Sequence, residues 1–293
     1  MKLDLRAPAK INWFLSVIRK RGDGYHDISS VMQCVSLFDR ISLEHSASLE
    51  LRTDMDLPAE QNLVYRAAAL LKEWAGYGGG AVISLTKNIP SAAGLGGGSS
   101  DAATTLLGLN RLWELNLPVA VLSELAGRIG SDVPFFIRGP LAFAEGRGER
   151  LTPLSLQDPE SPVWLLLVKP PLSVSTAWAY GRYVPKLTKK VIDIKLFCLS
   201  LAGKDFVSLR QMVFNDLEEA VSGRYPVIAE IKEALLRSGA AVASMSGSGP
   251  TVFGVFGNRD EAVTASGRMG GHWCSVVSTL TAAVHQTGQE EAP

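Results

Sequence analysis

The sequence predicts an α+β protein in which helices and strands are mixed in each of two lobes. The chain has 293 residues, about twice the length of a usual domain. Both halves combine strand-like alternation with helical spacing of apolar residues. Over residues 151–162 the composition shifts to Pro, Ser and Asp, as it does at domain boundaries. We therefore expect domains at residues 1–155 and 156–293; one large domain is the alternative.

The N-terminal half begins with a strand pattern. Over residues 10–17 apolar side chains alternate with others, so that Lys10 and Asn12 share the polar face. A turn signal, Arg-Gly-Asp-Gly, follows at residues 21–24. The later elements predicted in this half are a helix from Asn62 to the glycines at 76–80, a strand over 81–85, a helix starting near 102 and a helix over 119–129.

The C-terminal half repeats the mixture of strands and helices. A fully apolar run at residues 164–168 and a run at 251–256 after a glycine turn predict strands. Helical spacing predicts helices over 206–221 and 226–236.

Composition excludes several classes of protein. The 29 basic and 29 acidic residues leave no net charge, so we expect no binding to nucleic acid or to an anionic membrane. The three cysteines are far apart and predict neither a disulfide framework nor a zinc site. The order of charged and apolar residues near residues 4–21 is not that of a secretory signal, so we expect no secretory leader. No apolar run reaches membrane-spanning length. These features predict a cytoplasmic protein.

The glycine-rich stretch at residues 90–101 is the strongest chemical signal. It reads Pro-Ser-Ala-Ala-Gly-Leu-Gly-Gly-Gly-Ser-Ser-Asp and leads directly into a helical pattern. Such a loop lets backbone amides converge, and the helix start adds about half a positive charge. It predicts a phosphate site, to which Ser99 and Ser100 add hydroxyls. The alternative is a flexible surface loop with a serine cap. Neither GxxxxGK[ST] nor GxGxxG is present.

Three stretches together resemble the GHMP kinase superfamily: residues 7–12, the loop at 90–100, and Ser-Gly-Ser-Gly-Pro-Thr at 246–251. The resemblance implies a two-lobed fold with the active site in the cleft between the lobes. It also implies ATP, with Mg²⁺, as phosphoryl donor. The loop residues implied in ATP binding are Pro90, Ala93, Gly94, Leu95, Gly96, Gly97, Gly98, Ser99 and Ser100.

Residues 21–26, 130–135 and 144–149 resemble one branch of that superfamily more narrowly. This branch phosphorylates the 2-hydroxyl of a cytidine diphosphate-linked methylerythritol, an isoprenoid precursor. The small-molecule partners implied are this alcohol and ATP. Two alternatives remain: another GHMP kinase acting on homoserine, mevalonate or a sugar, and a nucleotide-binding protein that has lost catalysis.

The resemblance implies that Asp132 is the catalytic base and that Lys10 is the cation beside it. Phosphoryl transfer to an alcohol is served by a carboxylate that receives the hydroxyl proton and by a cation near the transferring group. From the residues alone, Asp132 is equally well explained as a turn cap, and Lys10 as a solvated surface charge.

Cytosine recognition needs an aromatic platform and hydrogen-bond partners for the edge of the base. By resemblance, Tyr25 and Tyr180 sandwich the ring and His26 reads its edge. The alternative is that both tyrosines are ordinary half-buried residues and that His26 lies in a surface turn. Further substrate contacts implied are Asn12, Thr176 and Gly247.

Asn62 and Lys87 are candidates for contacts with adenosine. A helix cap and a solvated lysine are their respective alternatives. No carboxylate can be assigned to the magnesium ion from the sequence. Asp101 and Glu145 are candidates by position only.

Overall fold

A computed structural model describes residues 2–156, 162–185 and 190–282. Along the chain its strands are β1 (Lys2–Lys20), β2 (His26–Ser46), β3 (Glu50–Thr53), β4 (Gly80–Thr86), β5 (Leu141–Gly146), β6 (Arg150–Pro153), β7 (Trp164–Lys169), β8 (Phe214–Asn215), β9 (Val242–Met245), β10 (Val252–Phe256) and β11 (Trp273–Ser278). Its helices are α1 (Leu63–Ala75), α2 (Gly97–Leu112), α3 (Val119–Ile129), α4 (Val133–Arg138), α5 (Thr176–Gly181), α6 (Ile194–Ala202), α7 (Phe206–Met212), α8 (Glu218–Arg224), α9 (Val227–Arg237) and α10 (Arg259–Ser266).

The strands form two sheets. The first has the order β3-β4-β2-β1-β8, and β5 joins it by pairing with both β2 and β6. The second has the order β11-β7-β10-β9 and is antiparallel throughout. Helices α1 to α4 contribute to the core beside the first sheet, whereas α8 and α9 contribute to the core beside the second.

A third core joins the two halves of the chain. The Trp13 ring on β1 is fully buried and lies edge-on to Phe253 of β10 at 5.8 Å and to Phe197 of α6 at 6.1 Å. Such aromatic pairs add about 1 kcal/mol each to the free energy of burial. β8, from the second half, also pairs in parallel with β1. The proposed boundary between residues 155 and 156 borders residues 157–161, which lie outside the described residues, and it stays a prediction.

β1 differs from a simple half-exposed strand. Its register with β2 shifts between Asn12 and Phe14, which leaves Trp13 as an extra residue. A bulge of this kind redirects side chains and is frequent beside functional sites. Lys10 and Asn12, on the face predicted to be polar, are 4% and 3% exposed. The face predicted to be polar is therefore the floor of a buried polar site, which argues against the alternative of a solvated lysine.

The prediction of one continuous helix over residues 206–221 is wrong. It is split into α7 and α8 by β8, where Phe214 and Asn215 pair with β1. The apolar spacing fits a helix, but pairing with a distant strand overrides that local preference. The helices predicted at 119–129 and 226–236 and the strands at 164–168 and 251–256 correspond to α3, α9, β7 and β10.

Candidate active site

The glycine loop between β4 and α2 is built for backbone contacts. Gly94 and Gly96 have φ of +74° and +71°, a region that suits glycine and strains other residues. The first bond of α2 runs from the Ser100 amide to the Gly96 carbonyl at 2.9 Å. The amides of Gly97, Gly98 and Ser99 therefore have no acceptor within the helix. They form a helix N-terminus suited to an anion.

The stretch at residues 246–251, which forms the turn after β9, packs directly on this loop. A Cβ atom at Gly94 would lie 2.2 Å from the Ser246 carbonyl oxygen, so no side chain fits there. Ser246 Oγ donates to the Gly94 carbonyl at 3.0 Å, and the Thr251 amide donates to the Ala93 carbonyl at 3.3 Å. These contacts make the turn after β9 a support for the glycine loop.

Lys10 and Asp132 form an ion pair next to the loop. Lys10 Nζ lies 3.5 Å from Asp132 Oδ2 and donates to Asn12 Oδ1 at 2.6 Å. The Lys10 amide donates to the Leu95 carbonyl at 2.9 Å. A Cβ atom at Gly96 would lie 3.0 Å from Lys10 Cγ, so the lysine stem packs against the loop itself. Lys10 is thus a buried cation and not a solvated one.

Asp132 stands at the N-cap position of α4 but does not act as a cap. Within the described residues its side chain makes no capping hydrogen bond. Its side chain is 37% exposed and faces the cavity, with the Lys10 ammonium as its charged neighbour. This argues against the turn-cap alternative, because the carboxylate remains open to a substrate.

Lys87 lies in a buried cluster with two carboxylates. Its ammonium donates to Asp101 Oδ2 at 2.7 Å and to Asp39 Oδ2. Asp39 also accepts hydrogen bonds from the amides of Asn88 and Ile89, at 2.6 and 2.8 Å. Burial, together with the nearby Asp39 carboxylate, raises the pKa of Asp101 to about 7 against the opposing effect of the Lys87 ammonium. The pKa of Lys87 is raised: burial lowers it, but the neighbouring carboxylates outweigh burial. The solvated-lysine alternative does not hold.

Aromatic side chains gather at the other end of the cavity. The ring of His26, at the start of β2, lies 5.2 Å from the ring of Tyr180 on α5, at an angle of 31°. Tyr25 is 54% exposed, and the Arg147 guanidinium lies over its ring at 4.9 Å. Burial lowers the pKa of His26, which favours the neutral imidazole. Burial and the nearby Asp132 carboxylate raise the pKa of the Tyr180 hydroxyl.

α5 is tied to the turn after β9. Thr176 Oγ1 and Ser248 Oγ share a hydrogen bond of 3.0 Å. Gly247, beside Ser248, has φ of +56°, and a Cβ atom there would lie 3.3 Å from Asn12 Oδ1 and 3.4 Å from Lys10 Nζ. The turn therefore touches the Lys10 site on one side and α5 on the other.

A cavity of about 1060 Å³ connects these groups. Among the described residues, its lining includes every residue predicted for catalysis, ATP binding or substrate binding except Leu95 and Ser100. Both exceptions are buried behind the loop, where Leu95 contributes its carbonyl to Lys10 and the Ser100 hydroxyl lacks a partner among the described residues. Asn62 lines the cavity, but its Oδ1 caps α1 by accepting from the Val64 amide at 2.9 Å.

Comparisons with known families identify this arrangement. The model of the GHMP kinases N terminal domain matches residues 62–140, and that of the GHMP kinases C terminal domain matches residues 194–273. The first match contains the glycine loop and Asp132, and the second contains the turn after β9. The chain belongs to the GHMP kinases. It is therefore an enzyme of the kinase class, with ATP as a substrate.

Particular relatives of this GHMP kinase cover nearly its full length. The 4-diphosphocytidyl-2-C-methyl-D-erythritol kinase of Thermodesulfovibrio yellowstonii is 43% identical over 291 residues, covering 95% of this chain and 98% of the relative. That of Geobacter metallireducens is 45% identical over 274 residues, covering 89% and 91%.

Solved structures agree with the fold. A crystal structure of 4-(cytidine 5'-diphospho)-2C-methyl-D-erythritol kinase has a TM-score of 0.82 and 36% identity, covering 94% of this chain and 99% of that one. A homoserine kinase from Cytophaga hutchinsonii has a TM-score of 0.71 at 21% identity, covering 95% of each chain. The second likeness shows the GHMP kinase fold alone.

The metal expected with ATP has few protein ligands here. No group of three or more His, Cys, Asp or Glu side chains in residues 2–156, 162–185 and 190–282 could hold a metal ion. Glu145 does not line the cavity, and its Oε1 lies 4.0 Å from Arg150 Nη2. The suggestion that Glu145 is a magnesium ligand is therefore wrong. Asp101 lines the cavity, but Lys87 already occupies one of its oxygens. Of the described helices, none is both long and apolar enough to cross a membrane.

Sequence reasoning missed two residues of this GHMP kinase site. Asp39 is fully buried beneath Lys87 and lies 48 positions away in sequence. No local pattern marks it, because its partners come from residues 87–89, the segment that follows β4. Arg147 lies within the stretch at 144–149 that carried the narrower resemblance, so its position in the cavity could have been proposed from that motif.

Proposed function

We propose that this GHMP kinase transfers the γ-phosphoryl group of ATP to the 2-hydroxyl of 4-diphosphocytidyl-2-C-methyl-D-erythritol, giving the 2-phosphate and ADP. The observation that carries the proposal is a series of neighbouring groups that line one cavity. Gly96 packs on Lys10, Lys10 pairs with Asp132, the Asp132 carboxylate contributes to the raised pKa of Tyr180, and the Tyr180 ring lies against the His26 ring. This series runs from a phosphate site, past an acid–base pair, to an aromatic platform. Identities of 43% and 45% to kinases of that name support the choice of alcohol.

Asp132 acts as the proton acceptor in this proposal. As the substrate oxygen attacks the γ-phosphorus, the hydroxyl proton moves to the Asp132 carboxylate and ADP leaves. The Lys10 ammonium, 3.5 Å away, stabilises the ionised carboxylate before transfer and the phosphoryl oxygens during it. Asn12 fixes the ammonium, because it accepts from Lys10 and donates to Ser30 Oγ at 2.8 Å.

The glycine loop holds the triphosphate in this proposal. The amides of Gly97, Gly98 and Ser99 and the positive end of α2 offset phosphate charge in a protein whose formal net charge is zero. Lys87 lines the same end of the cavity, but its charge is already paired with Asp39 and Asp101. Mg²⁺ would neutralise phosphate charge. The described residues offer it the Ser99 hydroxyl and one Asp101 oxygen, so we infer that phosphates and water supply most of its ligands.

The aromatic end binds the cytosine in this proposal. Tyr25 and Tyr180 supply the two ring faces, and His26 supplies one donor and one acceptor in its neutral form. Burial lowers the pKa of His26, so that form dominates at neutral pH. Thr176 and Gly247 complete the substrate side, and Asn62 and Lys87 the adenosine side. We also propose a cytoplasmic location, in keeping with three unpaired cysteines.

A substrate panel tests the assignment. The purified protein is offered ATP with the cytidyl alcohol, mevalonate, homoserine or galactose, and ADP release is measured. We expect turnover with the cytidyl alcohol to exceed turnover with the others by at least about 1000-fold in kcat/KM, since the aromatic end has no partner in the smaller alcohols. Turnover with mevalonate or homoserine and none with the cytidyl compound would refute the proposal.

Asp132→Asn tests the mechanism. We expect kcat to fall by about 10²- to 10⁴-fold, while ATP affinity measured by calorimetry changes little because the glycine loop is unaltered. Asp205→Asn is the matched control: Asp205 caps α7 through the Ser208 amide at 3.1 Å, and asparagine caps equally well. Near-normal turnover in Asp132→Asn would show that another group accepts the proton.

A further inference from the structure

The turn after β9 is held in place by one side chain outside the cavity. Asn215, at the end of β8, is buried, and its Nδ2 donates to the Met245 carbonyl at 2.8 Å and to the Gly247 carbonyl at 2.7 Å. Its Oδ1 accepts from the Leu217 amide at 2.9 Å. Two carbonyls require two donors, and the Leu217 amide requires an acceptor, so only a carboxamide satisfies all three.

Asn215 also belongs to the strand that joins the two halves. β8 pairs in parallel with β1, where Asn215 lies opposite Leu15. Asp216 extends the connection, because its amide donates to the Leu15 carbonyl and its carboxylate accepts from the Val17 amide, both at 2.9 Å. The side chain of Asn215 therefore links β1, which carries Lys10 and Asn12, to the turn that contains Gly247.

The position of that turn determines the space around Lys10. A Cβ atom at Gly247 would lie 3.1 Å from the Gly94 carbonyl and 3.4 Å from Lys10 Nζ. The Gly247 peptide is thus packed between the glycine loop and the Lys10 ammonium. A shift of the turn by about 1 Å would change where a phosphoryl group and an alcohol can meet, and displacements of that size can reduce rates about 100-fold.

We propose that Asn215 is a positioning residue for the phosphoryl transfer reaction, which it serves by fixing the Gly247 peptide beside the Lys10 ammonium. The inference rests on the proposed function, because it assigns Lys10 and Asp132 to that reaction. Asn215 does not line the cavity formed by the described residues. It acts through the two carbonyls whose direction it sets.

Asn215→Asp is the test, because the variant keeps the shape of the side chain and replaces Nδ2, with its two N–H donors, by one oxygen. The new carboxylate would face the Met245 and Gly247 carbonyls, so its neutral form, which still donates one hydrogen bond, is favoured as pH falls. We expect kcat with the cytidyl alcohol to fall about 10- to 100-fold at alkaline pH. We also expect the ratio of variant to wild-type kcat to recover toward mildly acidic pH.

Asn110→Asp is the matched control. Asn110, on α2, uses its carboxamide in the same way: Nδ2 donates to the Leu117 carbonyl at 3.2 Å, and Oδ1 accepts from the Leu117 amide at 2.9 Å. It does not line the cavity formed by the described residues. We expect the unfolding midpoint of this variant to fall. Its kcat should match that of wild type, and the ratio of the two kcat values should not change with pH.

The outcomes separate two failures. If wild type does not phosphorylate the cytidyl alcohol, the proposed function fails. If wild type does and Asn215→Asp matches Asn110→Asp in kcat at all pH values, only the positioning role is refuted. Should Asn215→Asp not fold, Asn215→Ala is measured instead. A kcat within about twofold of wild type in that variant would equally overturn the role.

Discussion

The two ends of the cavity are formed by different chemical groups. At the nucleotide end, backbone amides, tight glycine contacts and a buried ion cluster fix the geometry: Asp39 is 0% and Asp101 2% exposed. At the alcohol end, side chains dominate, and Tyr25 is 54% exposed. The nucleotide end is held by close backbone contacts at Gly94 and Gly96 and by the buried ion cluster. The other is an open platform that a ligand would complete.

The difference indicates how one fold serves several alcohols. A homoserine kinase shares the fold at 21% identity, so the fold is retained when most of the sequence changes. Backbone amides bind phosphate whatever the acceptor alcohol is, whereas Tyr25, His26 and Tyr180 suit a planar base. We therefore expect substitutions at the nucleotide end to impair folding and ATP binding together. Substitutions at the alcohol end should alter only the affinity for the alcohol.

Gly94→Ala should give the largest effect. Its Cβ would lie 2.2 Å from the Ser246 carbonyl, at φ of +74°, so the loop and the turn after β9 must separate. We expect ATP affinity to fall by at least about 100-fold and the free energy of unfolding to fall by about 1–3 kcal/mol. Calorimetry with an ATP analogue and urea denaturation measure the two quantities.

Gly127→Ala is the control for Gly94→Ala. Gly127 lies inside α3, and a Cβ there would have only Pro134 Cγ, at 3.9 Å, as a neighbour. Alanine in a helix interior is favoured over glycine by about 1 kcal/mol, so this variant should be slightly more stable, with unchanged ATP binding. Equal ATP affinity in the two variants would mean that the loop is less rigid than its contacts indicate.

Tyr25→Ala should give an intermediate effect confined to the alcohol. Stacking on a base contributes about 1–3 kcal/mol, so we expect KM for the cytidyl alcohol to rise about 10- to 100-fold, with kcat within about twofold. Stacking stabilises ground and transition states alike. Stability should hardly change, because the ring is 54% exposed.

Trp74→Ala is the control for Tyr25→Ala. Trp74, on α1, is an exposed aromatic side chain at 46% and does not line the cavity of the described residues. Its removal should leave KM unchanged. If Tyr25→Ala also leaves KM unchanged, Tyr25 does not contact the substrate, and the alcohol end must bind the base elsewhere.

The contrast also explains what the sequence could predict. The glycine loop is local: four glycines at 94–98 and the helix after them are adjacent in the chain, so both were visible. Lys10 and Asp132 required the family resemblance, because their pairing joins β1 to α4. Asp39 and Asn215 had no local signature. Their partners lie at distant positions in the sequence, and only the folded chain brings them together.

The smallest effect we predict is on the pH dependence of stability. The slope of stability against pH has opposite signs for the two ends of the cavity. At the nucleotide end, burial raises the pKa of Asp101 from 3.8 to about 7. The folded state then binds more protons than the unfolded state between those values, so stability falls as pH rises from about 4 to about 7. At the alcohol end, burial lowers the pKa of His26 below 6.5. Its contribution to stability is lost as pH falls below that value.

Asp101→Asn should remove the first slope and keep the second. Asparagine has no proton to lose, yet its oxygen still accepts from Lys87, so the free energy of unfolding of the variant should rise relative to that of wild type on going from pH 4 to pH 7. Thermal unfolding across that range measures the gain, and Asp260→Asn, at an exposed carboxylate on α10, should follow wild type. Parallel curves for wild type and Asp101→Asn would mean that Lys87 balances both carboxylates. The nucleotide end would then hold an ionised Asp101 at neutral pH, a carboxylate oxygen that Mg²⁺ could use.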